Sequence, residues 1–308
     1  MNFKSLKNAI YHFFYHPQKE QEISLVFFRI AIGIFCLIHF ISIWSDFEIL
    51  FGKGSIIPWD IKSLLLSTNF ITLSEICDFC ETCLSISISQ TLLIFKISFV
   101  ILCTFIVFGF FTRISALLLL ILQLSYIKEG IGFVYGVDNF TSMSLTYLVL
   151  FPNNNKLSLQ HFFTRGKKIS KQAYLRVFQL HVSMLYFFSG FDKVLGFNWR
   201  NGEAIWKAIH LPHFNHDFQF NFSWLADYPW LVVATGWTAV IIEIAYPLFI
   251  WLSFSRKAWL LLTITLHLGI ALVFNLYFFS TMMLIWNLTA FMHIFNKKQH
   301  SQQKIKPS

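Results

Sequence analysis

Charged residues are scarce in this chain of 308 residues. They make up 13% of it, whereas soluble domains carry about 25%. The hydrophobic share is 56% and the mean hydropathy is +0.60. Several apolar runs reach the length of about 20 residues that a membrane-spanning helix needs. We therefore predict an integral membrane protein.

Several common functional motifs are also absent from the sequence. It contains no G-x-S-x-G, no H-E-x-x-H and no Gly-rich phosphate loop, which argues against common hydrolases, zinc proteases and nucleotide-binding proteins. It shows no internal repeat of interrupted apolar segments, which disfavours a transporter. The net charge is +9, but the basic residues lie in short loops between apolar runs, so nucleic acid is not an expected partner.

The apolar runs predict an all-α, polytopic membrane protein with about eight transmembrane helices in one bundle. The predicted spans are 24–44, 91–111, 114–128, 134–151, 174–195, 230–252, 257–276 and 278–295. Residues 22–295 would form the transmembrane domain, after an amphipathic segment, 1–21, that lacks a signal-peptide cleavage site. Residues 296–308 would form a polar tail.

The loops also predict the orientation of the chain in the membrane. Lys and Arg are concentrated in the two terminal segments and in the loop 152–173. By the positive-inside rule both termini are cytoplasmic, the protein is integral to the cytoplasmic (inner) membrane, and the lipid bilayer is its first partner. Segments 45–90 and 196–229 are then outside, and segment 1–21 lies on the inner membrane surface.

Ionisable residues inside the predicted spans indicate where a site could lie, because a charge at the bilayer centre costs at least about 2.5–3.5 kcal/mol. We expect a polar chamber in the outer half, with Asp138 facing Lys193 or Lys96. Desolvation favours the neutral amine, so Lys193 could act as a general base. The alternative for Lys193 is a cation stabilised at a helix C-terminus. Glu243 and His267 are either proton handlers or a buried hydrogen-bonded pair that joins two helices.

The stretch around Lys193 resembles a known family. Residues 186–193 read Tyr-Phe-Phe-Ser-Gly-Phe-Asp-Lys, and residues 199–202 read Trp-Arg-Asn-Gly. Together they resemble the horizontally transferred transmembrane (HTTM) family, which includes the membrane part of the vitamin K-dependent gamma-carboxylase. Tyr-Gly-Val-Asp at 135–138, Glu243 before a proline, and His267 before a Phe-rich hairpin are similar to the same family.

The resemblance implies that Lys193 is the base that activates a reduced quinone, which would be the cofactor, and that a quinone or a secreted peptide is the partner. We predict catalytic roles for Lys193, Asp138, Glu243 and His267. We predict substrate-binding roles for Tyr186, Trp199, Gly202 and His181, and no metal.

Two sequence differences keep a second function open. Asp192 stands where the carboxylases carry a second lysine, and residues 139–145 lack the Trp-Asn-Asn-His run that follows the aspartate in those enzymes. In length the chain is closer to short bacterial members of the family, of the kind that helps the secreted sporulation-delaying toxin to mature. The alternative function is therefore a non-catalytic membrane accessory that binds or matures a secreted peptide.

A cysteine cluster lies in the first segment predicted to be outside. Cys77, Cys80 and Cys83 form a C-x-x-C-x-x-C run. Outside the cell a disulfide between two of them could persist. Thiol–disulfide exchange and a zinc site with a fourth ligand from elsewhere are the alternatives.

Overall fold

A computed structural model describes residues 3–15, 21–65, 70–130, 132–152, 158–159, 171–214 and 217–292. These residues form helices, turns and loops, and none of them belongs to a β-strand. The predicted all-α fold class is confirmed.

Each predicted apolar span corresponds to one helix, with ends that differ by a few residues. The helices are α2 (Gln21–Ser42), α6 (Ile88–Phe108), α7 (Thr112–Ile127), α8 (Gly136–Leu150), α9 (Gln172–Leu195), α12 (Pro229–Phe249), α13 (Arg256–Phe274) and α14 (Tyr277–Phe291). Shorter helices lie before and between them: α1 (Phe3–Tyr15), α3 (Phe47–Phe51), α4 (Trp59–Leu65), α5 (Leu73–Leu84), α10 (Phe197–Arg200) and α11 (Glu203–His210).

Within the described part of the chain, four helices are long and apolar enough to cross a membrane. They cover Ile23–Ser42, Ile88–Phe108, Pro229–Phe249 and Arg256–Phe274. Helices α7 and α14 are apolar but shorter, and α8 has 15 residues. Helix α9 has 24 residues, but its polar and charged side chains lower its hydropathy. The predicted count of about eight spans is therefore not confirmed.

The chain divides into two compact units. One is Leu25–Ile169, and the other, here called the split unit, combines Met1–Ser24 with Ser170–Ser308. The motif residues from Tyr186 to Gly202, together with Glu243 and His267, all belong to the split unit. Asp138 and the three clustered cysteines belong to the Leu25–Ile169 unit.

In the Leu25–Ile169 unit, α2 packs against α6 along one stripe of side chains. The rings of Phe40 and Phe99 stack with centroids 3.9 Å apart. About two turns away the two backbones come close, because a Cβ on Gly33 would lie 3.0 Å from the backbone nitrogen of Val107. The same stripe brings Arg29, which is fully buried, to the C-terminal end of α6.

Arg29 donates hydrogen bonds to two carbonyl groups in the last turn of α6. Its Nη1 donates to the Ile106 carbonyl at 2.7 Å and also to the Val107 carbonyl. A buried guanidinium is stable only when such acceptors surround it, and the carbonyls of the last helical turn carry partial negative charge. Arg29 thus links α2 to α6.

Replacing Arg29 with Met should lower the thermal stability of the purified protein. The variant loses the charged donor to the carbonyls of Ile106 and Val107, and a hydrogen bond to a charged group is worth about 1.5–3 kcal/mol. Arg113→Met is the matched control, because Arg113 makes only longer bonds, at 3.3 and 3.4 Å, to the carbonyls of Phe151 and Leu150. Equal melting temperatures for the two variants would contradict the role given to Arg29.

Candidate functional site

The C-terminal half of α9 presents one polar face. Ser189 and Gly190 lie three and four residues after Tyr186 and four and three residues before Lys193, so the four residues lie on the same side of the helix. Tyr186 and Gly190 are buried, and Lys193 is half-buried. Asp192, next in sequence to the lysine, is exposed. The adjacent charges therefore have different surroundings.

The Lys193 ammonium is held between α9 and α12. Its Nζ lies 2.6 Å from the Glu243 Oε2 and 2.7 Å from the Ser189 Oγ. It also lies 5.2 Å from the ring centroid of Trp199, within the range of a cation–π interaction. The lysine and glutamate side chains are only 20% and 10% exposed. An ion pair this sheltered is much less screened by solvent than one at the surface.

Gly190 lets the two helices approach closely enough for this ion pair. A Cβ at Gly190 would lie 2.8 Å from the backbone nitrogen of Ile244 and 2.9 Å from the Cβ of Glu243. Any larger residue would collide with the backbone of α12. The short Lys193–Glu243 distance thus depends on a glycine one turn before the lysine.

A second polar cluster lies about two turns before Lys193 along α9. The Tyr186 hydroxyl is 2.6 Å from the His267 Nε2 and accepts a hydrogen bond from the Asn287 Nδ2 at 2.7 Å. Tyr246 donates its hydroxyl to the Asn287 Oδ1, also at 2.7 Å. Four helices, α9, α12, α13 and α14, each contribute one side chain. All four side chains are buried.

The direction of these hydrogen bonds sets the tautomer of His267. Because the Tyr186 oxygen already accepts from Asn287, its own proton is left to donate to the His267 Nε2. The neutral imidazole then carries its proton on Nδ1. That nitrogen is buried, and no other described residue hydrogen-bonds to it. An unpaired buried donor costs about 1–3 kcal/mol, so this N–H marks a place where an acceptor would be bound.

The two polar clusters are continuous. Glu243 and Tyr246 lie three residues apart on α12, so they share a face of that helix. The rings of Tyr186 and Tyr246 stack at 4.2 Å and fill the space between α9 and α12. The Lys193–Glu243 pair and the tyrosine–histidine–asparagine network therefore lie along one helix interface.

The other predicted binding residues surround this interface unevenly. Trp199 covers the ammonium, as described. Gly202 lies in the turn after α10 and has a φ of +82°. A Cβ added at this position would lie only 2.9 Å from the Val233 backbone nitrogen. His181 is half-buried, and its ring lies 5.5 Å from that of Trp286 on α14.

Asp138 has a local partner in the Leu25–Ile169 unit. Its Oδ2 accepts a hydrogen bond from the Tyr135 backbone nitrogen at 3.1 Å, at the start of α8. The expected pairing of Asp138 with Lys96 does not occur among the described residues. Lys96 instead lies 3.8 Å from the Glu48 carboxylate and 5.0 Å from the ring of Trp44. The lysine reaches a carboxylate at the start of α3 because α6 packs beside that turn.

Glu243 and His267 have different partners, so the predicted hydrogen-bonded pair between them is not formed. Three residues of the site were not singled out from the sequence: Ser189, Tyr246 and Asn287. Their sequence spacing could have indicated two of them, since Ser189 lies one turn before Lys193 and Tyr246 lies three residues after Glu243. Asn287 is a polar residue inside an apolar run.

The clustered cysteines lie on α5. Cys77 is buried, Cys80 is half-buried and Cys83 is exposed, and all three are free thiols in this structure. The disulfide stays a prediction. No group of three or more metal-ligating side chains occurs among the residues that the structure describes.

Comparison with known proteins does not assign the site. No family model, no curated protein and no solved structure matches the chain. The resemblance to the HTTM family therefore stays a prediction that rests on the motif residues.

Gly190→Ala should destabilise the split unit and disturb the ion pair. The added methyl group overlaps the α12 backbone, and overpacking of this kind costs about 1–3 kcal/mol. Gly269→Ala is the matched control, because nothing lies within 4 Å of a Cβ at Gly269 in the middle of α13. There the change should be neutral or stabilising, since Ala favours a helix by about 1 kcal/mol over Gly. Equal melting temperatures of the two variants would refute the close approach.

Thiol labelling should separate the three cysteines of α5. Burial, followed by the nearby Glu129 carboxylate, raises the pKa of the Cys77 thiol to about 12. Cys77 should therefore stay protonated and unlabelled by a maleimide at pH 7–9, while the exposed Cys83 is labelled first. Peptide mass spectrometry measures the order. If Cys77 were labelled as fast as Cys83 in the folded protein, the burial of the Cys77 thiol would be contradicted.

Proposed function

We propose that the chain is an HTTM-type integral protein of the cytoplasmic membrane, with both termini cytoplasmic, whose Lys193–Glu243 pair accepts a proton from a weakly acidic, lipid-soluble substrate. The observation that carries the proposal is the sheltered ammonium, 2.6 Å from the Glu243 carboxylate and 2.7 Å from the Ser189 hydroxyl. A group in that position can exchange a proton without exposing a bare charge to an apolar environment.

The ion pair offers a route to the neutral amine that a general base requires. Transfer of one ammonium proton to Glu243 converts the two charges into an uncharged amine and carboxylic acid. Such a transfer is favoured when water is excluded, because neither ion then has to be solvated. Lys193 would accept the substrate proton, and Glu243 would hold the proton that Lys193 released.

The second cluster suits the oxygen of an aromatic substrate. The buried His267 Nδ1–H can donate to it, and Tyr186, Asn287 and Tyr246 fix the imidazole in the tautomer that makes this possible. A reduced quinone, as the family resemblance implies, would supply an acidic hydroxyl and two electrons. The stacked tyrosines and Trp199 offer aromatic surface nearby.

A second candidate function is a non-catalytic accessory that binds or matures a secreted peptide. One observation favours it: Glu243 already neutralises Lys193, and Gly190 brings α9 and α12 into direct contact at that point. In this role the ion pair joins the two helices and fixes the shape of the surface that a peptide would contact.

Lys193→Arg separates the two functions. Arginine keeps the charge and can bond to Glu243, but it does not release a proton at ordinary pH. The substrate is a reduced short-chain naphthoquinone in oxygenated buffer. The wild-type protein should speed its oxidation to the quinone, which is measured by absorbance. Lys193→Arg should lower that rate about 100-fold or more, the usual range for loss of a general base.

Lys207→Arg provides the control, because Lys207 is exposed and pairs only with Glu203 within the same helix. Its rate should equal that of the wild type, and all three proteins should melt at similar temperatures. A folded Lys193→Arg variant with the wild-type rate would exclude Lys193 as the base. A wild-type protein that does not raise the reoxidation rate above that of the protein-free solution would favour the accessory function.

A further inference from the structure

One end of the split unit is strongly basic. Three of its segments meet there: α1, the first two turns of α9, and the turn between α12 and α13. Residues 3–15, 171–179 and 250–260 contain no Asp or Glu. The basic residues whose side chains the structure describes there are Lys7, Lys171, Arg176, Arg256 and Lys257. We call this surface the basic end.

Arg176 and two aromatic rings bring the three segments together. Its Nε donates to the Phe13 carbonyl at 3.2 Å. Its guanidinium lies 4.7 Å from the Phe13 ring and 5.4 Å from the Trp251 ring. Those two rings are 5.5 Å apart. The side chain of Arg176 therefore joins α1 to α9 and to the turn after α12.

Arg256 is fixed beside this group by the end of α12. Its Nε donates to the Ile250 carbonyl at 2.9 Å and its Nη2 to the Trp251 carbonyl at 2.7 Å. Its remaining terminal nitrogen, Nη1, makes no hydrogen bond to another described residue. The Arg176 guanidinium lies 5.4 Å from the ring of the same Trp251, so both arginines contact this residue. Two guanidinium groups are thus held near each other, and an anion between them would relieve their repulsion.

Apolar side chains beside the arginines indicate what kind of anion this is. Phe254, in the turn before Arg256, is 81% exposed. Leu261 and Leu262 on α13 are about half exposed, and α13 is one of the helices apolar enough to cross a membrane. Trp251 is an aromatic residue of the type that favours head-group depth. A ligand with both a phosphate and acyl chains matches this surface, whereas a free phosphate matches only its charged part.

We propose that the basic end binds the phosphate of an anionic phospholipid head group, with Arg256 and Lys257 contacting the phosphate and the acyl chains lying along α13. Arg176 orders the site by holding α1 and Trp251 in place. Basic clusters at the ends of membrane helices commonly recognise acidic lipids, and each basic residue near the surface contributes about 1 kcal/mol. This lipid site is separate from the proton-handling site at Lys193 and does not depend on its function.

Native mass spectrometry of the purified protein in detergent, titrated with phosphatidylglycerol or phosphatidylcholine, tests the proposal. The wild-type protein should bind phosphatidylglycerol more tightly. Lys257→Gln, at an exposed position, should weaken that binding roughly fivefold, the equivalent of about 1 kcal/mol. Arg256→Gln should weaken it further, and Arg256→Lys should restore part of the loss.

Lys207→Gln removes an equal charge from an exposed helix elsewhere in the split unit, and it should leave lipid binding unchanged. Equal binding of the two lipids by the wild type would overturn the proposal. So would wild-type affinity in both Lys257→Gln and Arg256→Gln, because each removes a charge that is proposed to contact the phosphate. If inorganic phosphate displaces the lipid completely at equal concentration, the site recognises a free anion and the lipid assignment is wrong.

Discussion

The ion pair between Lys193 and Glu243 is the interaction on which the rest of the site depends. Charged groups between apolar helices are costly unless each finds a partner. Here the partners come from α9 and α12, and their 2.6 Å separation requires the glycine at position 190. Once those two helices are in contact, Tyr186 and Tyr246 stack between them and complete the interface.

The same constraint explains the hydrogen-bond network deeper in the interface. Tyr186, Tyr246 and Asn287 satisfy one another, and the chain of donors ends at His267, whose Nδ1–H has no partner among the described residues. Four helices contribute to an arrangement that is polar but almost fully paired. A ligand oxygen at the imidazole would complete it, which is why binding and proton transfer can be assigned to neighbouring parts of one interface.

Much of the fold could be predicted from the sequence, because long apolar runs separated by polar loops have few alternatives to helices. The number of spans could not, since α9 combines sufficient length with many polar side chains and α8 is short. Lys193 was found through its neighbours in sequence. Its partner Glu243 was not, because the sequence does not show that α9 and α12 come into close contact at Gly190 and Ile244. Lys96 shows the same limit, since its carboxylate partner is Glu48.

The central claim is that Lys193 and Glu243 form one interacting pair, and a double-mutant cycle tests it most directly. The free energies of unfolding of Lys193→Met, Glu243→Met and the double variant would be measured in the same detergent. Each single variant leaves one sheltered charge without its partner, so the account predicts that the double variant is less destabilised than the sum of the two, by more than about 1 kcal/mol. Strictly additive effects would show that the two side chains do not interact and would contradict the account.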